Sequence, residues 1–197
     1  MTRVFLASRN PKKLEEMRRI LANDLVVGLD DVPPYDEVPE SGLTFEANAR
    51  LKAREGVAHT GLPTVADDSG LTVAAMNGMP GVFSARWTGR HGDDTGNVDL
   101  LLRQLSDVPE EELGAAFVCA VVLVLPDGRE WTVHGEMRGR LVREPRGTGG
   151  FGYDPIFVAD GHTRTSAELT PSEKDAISHR GQAMRALAAI LAGGLEP

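Results

Sequence analysis

The sequence predicts an α/β protein in which apolar strands alternate with amphipathic helices, and three observations support this class. A short apolar strand over residues 3–7 leads directly into a segment with helical spacing that starts at Asn10. Residues 98–105 place apolar side chains at i, i+3, i+4 and i+7, the spacing of a helix packed on one face. Residues 116–125 form a continuous apolar run rich in β-branched side chains, which is typical of a central strand buried on both faces.

The composition is that of an ordinary soluble globular protein, with 41% hydrophobic and 25% charged residues in a chain of 197. This length fits one domain, residues 1–197, or one domain with two lobes. The longest apolar run is too short to span a bilayer, and no signal-peptide pattern opens the chain, so we expect no membrane association. Cys119 is expected to be a buried structural thiol in a reducing cytoplasm. The net charge of −8 argues against a nucleic-acid partner.

The segment after the first strand is a candidate anion site. Asn10 is a suitable helix N-cap, and Pro11 fits the first helical position. The helix dipole, free backbone amides and the ammonium groups of Lys12 and Lys13 would together attract a phosphate. A solvated basic face explains this segment equally well. The apolar stripe of the predicted helix consists of Leu14, Met17 and Leu21.

A concentrated acidic motif, Asp67-Asp68-Ser69-Gly70, follows the apolar run 62–66 and precedes a second apolar run. This pattern predicts a strand, a tight turn and another strand. Adjacent carboxylates repel each other unless a cation lies beside them, and carboxylate oxygens suit Mg²⁺. The motif could therefore hold a metal and activate water. An exposed turn with solvated aspartates is the simpler interpretation of the motif alone.

The regions around the acidic motif give weaker signals. Thr44 is a plausible N-cap for a helix that runs to about residue 58, and Lys52 lies in its middle. Glu40, in the preceding loop, could reach a metal. After a hairpin turn at residues 126–128, two extended segments are predicted over 129–135 and 136–142. Taken singly, Glu40 and Lys52 are more readily explained as surface residues.

The glycine-rich stretch 146–155 has the spacing G-x-G-x-x-G, but it does not fit a dinucleotide-binding fingerprint. That motif must open a helix, whereas Pro155 and an apolar strand-like run follow here. The glycines could let the backbone approach a ligand, and Phe151 and Tyr153 offer faces for stacking. The alternative is a glycine-rich hairpin with core aromatics.

The C-terminal region opens with a capping box at residues 170–173, which predicts a helix start. On one continuous helix, Lys174 and Arg180 would lie about 240° apart and could not share one ligand. If both contact one ligand, the helix should break near Ser178, and a second helix should run to about residue 192. Without other evidence, a single helix with an exposed basic turn is favoured.

Considered together, these segments resemble the noncanonical purine NTP pyrophosphatases, the inosine/xanthosine triphosphate pyrophosphatase family. The resemblance extends from Ser8 to Gln182, and its specificity lies in the order and spacing of its motifs. These motifs are Ser8–Lys13, Glu40 with residues 41–45, Asn48-Ala49, Lys52-Ala53, residues 66–71, Pro80-Gly81, Ser84-Ala85-Arg86, residues 147–155, 167–170 and 173–174, and residues 178–181.

The resemblance implies an elongated mixed β-sheet flanked by helices, in two lobes with a cleft between them, and a homodimer. It also implies hydrolysis of a nucleoside triphosphate (ITP, dITP or XTP) to the monophosphate and pyrophosphate, with Mg²⁺. By the family's pattern, Asp68 is the proton acceptor and a metal-linked carboxylate, and Glu40 is a metal ligand. The positions assigned to substrate binding are Ser8, Arg9, Asn10, Pro11, Lys12, Lys13, Lys52, Ser69, Phe151, Gly152, Tyr153, Asp154, Lys174, His179 and Arg180.

Two questions stay open at the level of sequence. Arg9 departs from the more usual Gly-Asn pairing of the family and could contact a phosphate or point to solvent. Physical reasoning does not separate Asp67 from Asp68, so the catalytic assignment depends on the resemblance.

Two other functions compete with this interpretation: a phosphatase with an aspartate nucleophile, and a nucleotide sensor without turnover. Cationic donors such as Lys174, His179 or Arg180 could donate a hydrogen bond to a keto oxygen at C6 of the base.

Overall fold

The computed structural model describes residues 3–21, 26–36 and 38–193. Within these residues the strands are β1 (Val4–Leu6), β2 (Val26–Val27), β3 (Thr64–Val73), β4 (Gly114–Val124), β5 (Glu130–Leu141) and β6 (Phe157–Ala159). The α-helices are α1 (Pro11–Leu21), α2 (Phe45–Thr60), α3 (Asp94–Gln104), α4 (Pro171–Ile177) and α5 (His179–Ala192). No helix in the described part of the chain is long and apolar enough to span a membrane.

The strands form one mixed sheet in the order β2-β1-β3-β4-β5-β6. Strand β1 pairs in parallel with both β2 and β3, with Val4 opposite Val26 and Phe5 opposite Thr64. At the other edge, β5 and β6 are antiparallel. The predicted α/β fold with a mixed sheet is confirmed.

The predicted helix starts are confirmed, and each helix has a local cap at its first turn. The side chain of Asn10 accepts hydrogen bonds from the amides of Lys12 (3.0 Å) and Lys13 (3.3 Å). Thr44 Oγ1 accepts from the third residue of α2 at 3.1 Å, and Thr170 forms the capping box of α4. Of the stripe predicted for α1, Met17 is buried and Leu14 packs on the core; the side chain of Leu21 lies outside the described residues.

Three expectations about chain direction are wrong. Strand β3 continues through Asp67–Gly70 without a turn, because the buried carboxylates have cationic partners and Gly70 allows close packing. A Cβ at Gly70 would lie only 2.4 Å from Ser84 Oγ. The two segments predicted over residues 129–142 are the single strand β5. The favoured continuous C-terminal helix instead breaks at Ser178, whose extended backbone (φ −64°, ψ 152°) separates α4 from α5.

The described residues divide into two compact units, each with its own core. The first unit comprises the described parts of residues 1–68, 119–135 and 180–193. Its apolar core includes Leu6, Met17, Cys119 and Met184, so the predicted burial of the thiol is confirmed.

The second unit comprises residues 69–118 and 136–179. Its core includes Leu71, Leu101, Phe117 and Phe157. The helical stripe predicted over residues 98–105 accordingly supplies buried side chains to this core.

Candidate active site

Asp67 lies inside β3 and is almost completely buried, yet neighbouring cations keep it ionised. Its Oδ2 atom lies 2.9 Å from Lys13 Nζ and 3.5 Å from Arg180 Nε. Burial alone would raise the pKa of this carboxyl group, but Lys13, then Arg180 and Lys52, lower it well below the usual range for aspartate. Asp67 is therefore a permanently charged anchor for the ammonium group of Lys13.

A second buried carboxylate completes this ion network. Arg180, at the start of α5, donates through Nη1 to Oε2 of Glu16 in α1, and the guanidinium is only 2% exposed. Burial lowers the pKa of Arg180, but Asp67 and Glu16 overcome this effect and raise it. Glu16 had no predicted role, although it lies one helical turn after Lys13 and next to the buried Met17.

Asp68, the next residue of β3, has a different set of neighbours. Its Oδ2 accepts a hydrogen bond from Asn48 Nδ2 at 2.9 Å, and its Oδ1 lies 3.8 Å from Lys52 Nζ. Burial raises the pKa of Asp68; Lys52 and Lys13 oppose this in part, while Glu40 adds to it, and the net direction is upward. Asp68 is thus the more basic of the two adjacent carboxylates. Asn48, which donates the hydrogen bond to Asp68, belongs to a motif of the family resemblance, but the sequence alone assigned it no role.

Lys52 connects Asp68 with Glu40. Its ammonium group lies 2.9 Å from Glu40 Oε1, so one cation has carboxylates of two separate chain segments within 4 Å. Burial lowers the pKa of Lys52, but Asp68, Asp67 and Glu40 overcome this effect and raise it. A cation is therefore stabilised at this position.

The carboxylates of Glu40 and Asp68 are also suitable ligands for a small hard cation. Mg²⁺ binds one or two carboxylates and commonly completes its coordination shell with water and substrate phosphates. Glu40 and Asp68 provide two carboxylates beside one cationic position. Among the described residues no group of three or more His, Cys, Asp or Glu side chains could hold a metal. Two carboxylates are the number of protein ligands that a Mg²⁺ ion shared with substrate phosphates commonly has.

The remaining residues of the first predicted segment surround the start of α1. Ser8 is buried, and its Oγ accepts from the amide of Asn10 at 3.4 Å. Pro11 occupies the first helical position, and Lys12 is exposed. Arg9 donates to the backbone carbonyl of Tyr35.

In the second unit, three of the predicted residues form a compact polar cluster. Lys174 Nζ lies 2.7 Å from Asp154 Oδ2 and 5.0 Å from the centre of the Phe151 ring. The same Asp154 oxygen accepts the Phe151 amide at 2.8 Å. A Cβ at Gly150 (φ +70°) would lie 2.1 Å from that oxygen, so only glycine fits here. The cluster fixes an ammonium group over an aromatic face.

The other predicted residues of this unit have structural contacts. Tyr153 is buried, and its hydroxyl donates to the carbonyl of Ser84 at 3.0 Å. The Gly152 amide donates to Asp94 Oδ2 at 2.9 Å. His179 stacks on Phe117 with ring centres 5.0 Å apart. Ser69 is half-buried within β3.

Eight of the predicted residues are brought together in two groups. The first is an acidic group with its cationic partners: Lys13, Glu40, Lys52, Asp68 and Arg180. The second is the Lys174 cluster, which brings together Phe151, Asp154 and Lys174. Arg180 belongs to the first group through its bonds to Asp67 and Glu16.

These features define a class of α/β protein in which a mixed sheet carries a buried carboxylate pair flanked by lysines. Comparison with known proteins identifies the class more closely. The chain belongs to the Ham1 family, whose family model matches residues 4–190. The family resemblance predicted from the sequence is thereby confirmed.

Similar proteins cover almost the whole chain. A dITP/XTP pyrophosphatase of Nocardia farcinica is 62% identical in an alignment 197 residues long, which covers 98% of this chain and 96% of that protein. A dITP/XTP pyrophosphatase of Streptomyces coelicolor is 56% identical over 196 residues, covering 97% and 98% respectively. Among solved structures, a Ham1 protein from Coxiella burnetii superposes with a TM-score of 0.87 at 42% identity, covering 98% of this chain and 100% of the other. A nucleoside-triphosphatase, dITP/XTP pyrophosphatase, from Mycobacterium abscessus gives 0.78 at 62% identity, covering 95% and 98%.

Proposed function

We propose that this protein hydrolyses noncanonical purine nucleoside triphosphates (ITP, dITP and XTP) to the monophosphate and pyrophosphate. Such a reaction removes these nucleotides before they enter DNA or RNA. The observation that carries the proposal is the position of Asp68, a buried carboxylate of raised pKa beside Lys52, in a chain whose relatives are named for this activity.

Asp68 acts as the general base in this proposal. Its raised pKa makes it a better proton acceptor than an ordinary aspartate, and Asn48 Nδ2 holds one of its oxygens in a fixed direction. The proton removed from the attacking water would pass to Asp68 while the bond between the α phosphorus and the bridging oxygen breaks. Asp67 is a poor candidate for this role because Lys13 and Arg180 stabilise its ionised form.

The lysines stabilise the charge of the triphosphate and of the departing pyrophosphate. Hydrogen bonds to Asp67 and to Glu40 orient the ammonium groups of Lys13 and Lys52, respectively. Both ammonium groups are thereby oriented before a substrate arrives, which lowers the cost of reorganisation during the reaction. Mg²⁺, held by Glu40 and Asp68, would supply further charge neutralisation at the phosphates when bound.

The Lys174 cluster is proposed to recognise the base. Inosine and xanthosine carry a keto oxygen at C6, which accepts a hydrogen bond from an ammonium donor; adenosine carries an amino group there and is disfavoured. Asp154 holds Lys174 over Phe151, so a donor and a stacking face are fixed together. Because Tyr153 is buried and bonded to Ser84, Phe151 is the better stacking candidate.

The proposal includes a homodimer in the cytoplasm, as the family resemblance implies. Light scattering on the eluting peak of a sizing column measures the mass directly. A mass near twice 21.2 kDa supports the dimer, and a mass near 21.2 kDa contradicts it.

The deciding experiment measures product identity and rate with inosine, xanthosine, guanosine and adenosine triphosphates, with and without Mg²⁺. We expect Mg²⁺-dependent pyrophosphate release that is fast for the first two nucleotides, and its loss in Asp68→Asn. Release of orthophosphate, or equal rates with adenosine triphosphate, would contradict the proposal. Saturable nucleotide binding without turnover would instead favour a sensor.

A further inference from the structure

We propose that Arg9 and Tyr35 form a latch that holds the chain segment leading to Glu40, which makes Arg9 a positioning residue rather than a direct phosphate ligand. Only the role given to Glu40 depends on the proposed function. The latch itself is a set of contacts within the first unit and can be measured without any substrate.

Arg9 makes two contacts with Tyr35. Its Nη2 donates to the Tyr35 backbone carbonyl, and its guanidinium carbon lies 5.7 Å from the centre of the Tyr35 ring. The first contact fixes the backbone of the segment, and the second is a cation–π interaction. Both the main chain and the side chain of Tyr35 are therefore held by one residue.

Tyr35 is also held from the side of α2. Its ring stacks on His59 with centres 4.6 Å apart and planes 15° from parallel. His59 is in turn fixed by Glu55, whose Oε1 lies 2.7 Å from the imidazole Nε2. The Tyr35 ring also lies edge-on to Phe5, with ring centres 6.3 Å apart. Because Phe5 belongs to the buried core, this contact connects the stack to the core.

The described residues on either side of Tyr35 do not belong to a helix or strand. Residues 33–36 and 38–40 lie outside helices and strands, and Tyr35 precedes Glu40 by five positions. Pro33, Pro34 and Pro39 restrict the backbone, so a fixed Tyr35 limits the positions open to Glu40. Glu40 in turn sets the position of Lys52 Nζ at 2.9 Å.

Residues of the latch and of the candidate active site line the same small pocket. Arg9, Tyr35, Val38 and Lys52 all line it, together with Glu55. Movement of the latch would therefore alter the surroundings of Lys52, the residue that lies near both Glu40 and Asp68. The departure of Arg9 from the family pattern thus has a mechanical explanation.

Hydrogen–deuterium exchange of the peptide that spans residues 32–40 tests the latch directly, in the whole protein without nucleotide. Arg9→Ala should speed exchange in this peptide about tenfold, the combined effect of a hydrogen bond and a cation–π contact. Tyr35→Ala keeps the backbone carbonyl but loses the cation–π contact and the stack on His59, and it should also speed exchange. The double variant should exchange less rapidly than the product of the two single effects predicts, because the cation–π contact is lost in both single variants. Arg9→Lys should be intermediate, since it keeps the cation but loses the planar fork.

A matched control exists on another surface of the same unit. Arg129 lies 5.7 Å from the Trp131 ring, the same distance as in the latch, but on the turn between β4 and β5. Arg129→Ala should leave exchange in residues 32–40 unchanged. The melting temperature of Arg9→Ala should stay near that of the wild type, because Arg9 is exposed.

Pyrophosphate release then separates positioning from direct binding. Under the proposal, Arg9→Ala and Tyr35→Ala both raise the Mg²⁺ concentration needed for half-maximal rate several-fold. If Arg9→Ala raises only the KM for nucleotide while exchange stays at the wild-type rate and Tyr35→Ala is silent, Arg9 is a phosphate ligand and the latch is wrong. If no nucleotide is hydrolysed at all, the proposed function fails, while the exchange result still decides the latch. Should Tyr35→Ala not fold, Arg9→Ala alone decides.

Discussion

Asp67 and Asp68 are consecutive residues of β3, yet their carboxylates contact different lysines. Asp67 Oδ2 lies 2.9 Å from Lys13 Nζ, and Asp68 Oδ1 lies 3.8 Å from Lys52 Nζ. Successive side chains of a strand point to opposite faces, so neighbours in sequence meet different surroundings. The result is one carboxyl group with a lowered pKa and one with a raised pKa.

This difference predicts opposite outcomes for the two amide variants. Asp68→Asn should abolish pyrophosphate release and leave the protein as stable as the wild type or slightly more so, because a buried amide is easier to accommodate than a carboxylate of raised pKa. Asp67→Asn should lose about 3–5 kcal/mol of unfolding free energy, because Lys13 and Arg180 lose their shared anion. Urea unfolding at pH 7 measures both; equal losses in the two variants would contradict the assignment.

Glu16 is predicted to matter chiefly for stability. Glu16→Gln removes the anion that pairs with Nη1 of the buried Arg180 guanidinium, while the pair with Asp67 stays. We expect a loss of about 3 kcal/mol in unfolding free energy, in the range for a broken buried ion pair. Glu136→Gln is the matched control, because it breaks a pair with Arg138 that lies in solvent. It should leave the melting temperature unchanged; a similar shift in both variants would show that burial of the network is not the cause.

The sequence predicted those features whose causes are local. The caps at Asn10, Thr44 and Thr170 act on amides two or three residues away, and all three mark helix starts. The acidic motif was misread as a turn because the partners of Asp67 are distant: Lys13 is 54 positions away and Arg180 is 113. Local propensity opposes aspartate and glycine in a strand, and the long-range ion pairs overcome it.

The thiol of Cys119 should be unreactive in the native protein. Complete burial raises its pKa to about 12, so the thiolate is a negligible fraction at pH 8. Iodoacetamide at pH 8 should not modify the folded protein within an hour, and should modify it fully in denaturing urea. Mass spectrometry of the intact chain measures the adduct. Rapid labelling without denaturant would mean that the first unit opens readily.

Phe151 and Tyr153 should separate into a recognition residue and a core residue. Phe151→Ala removes the ring under Lys174 and should raise the KM for inosine triphosphate about tenfold, in keeping with the energy of stacking on a base. Tyr153→Phe removes the hydrogen bond to the Ser84 carbonyl and should cost about 1 kcal/mol of stability without changing base preference. An unchanged KM for inosine triphosphate in Phe151→Ala, or an altered base preference in Tyr153→Phe, would contradict this separation.

The capping box of α4 should contribute stability in a defined range of pH. Glu173 accepts from Arg164 and from the amide and hydroxyl of Thr170, and these bonds lower the pKa of its carboxyl group to about 2. A group whose pKa is depressed in the folded state stabilises the fold above its unfolded pKa, and this contribution is lost as the pH falls towards about 2. Glu173→Gln keeps an acceptor for the box but removes the charge. The variant should therefore melt at a lower temperature at pH 7, and the difference should narrow between pH 4.5 and 2.5.

Arg164→Ala provides the control. In this background Glu173→Gln should lower the melting temperature less, because the hydrogen bond from Arg164 contributes most to the lowered pKa of Glu173. A melting difference that stays constant across this range would show that the charge of Glu173 does not stabilise the helix that carries Lys174.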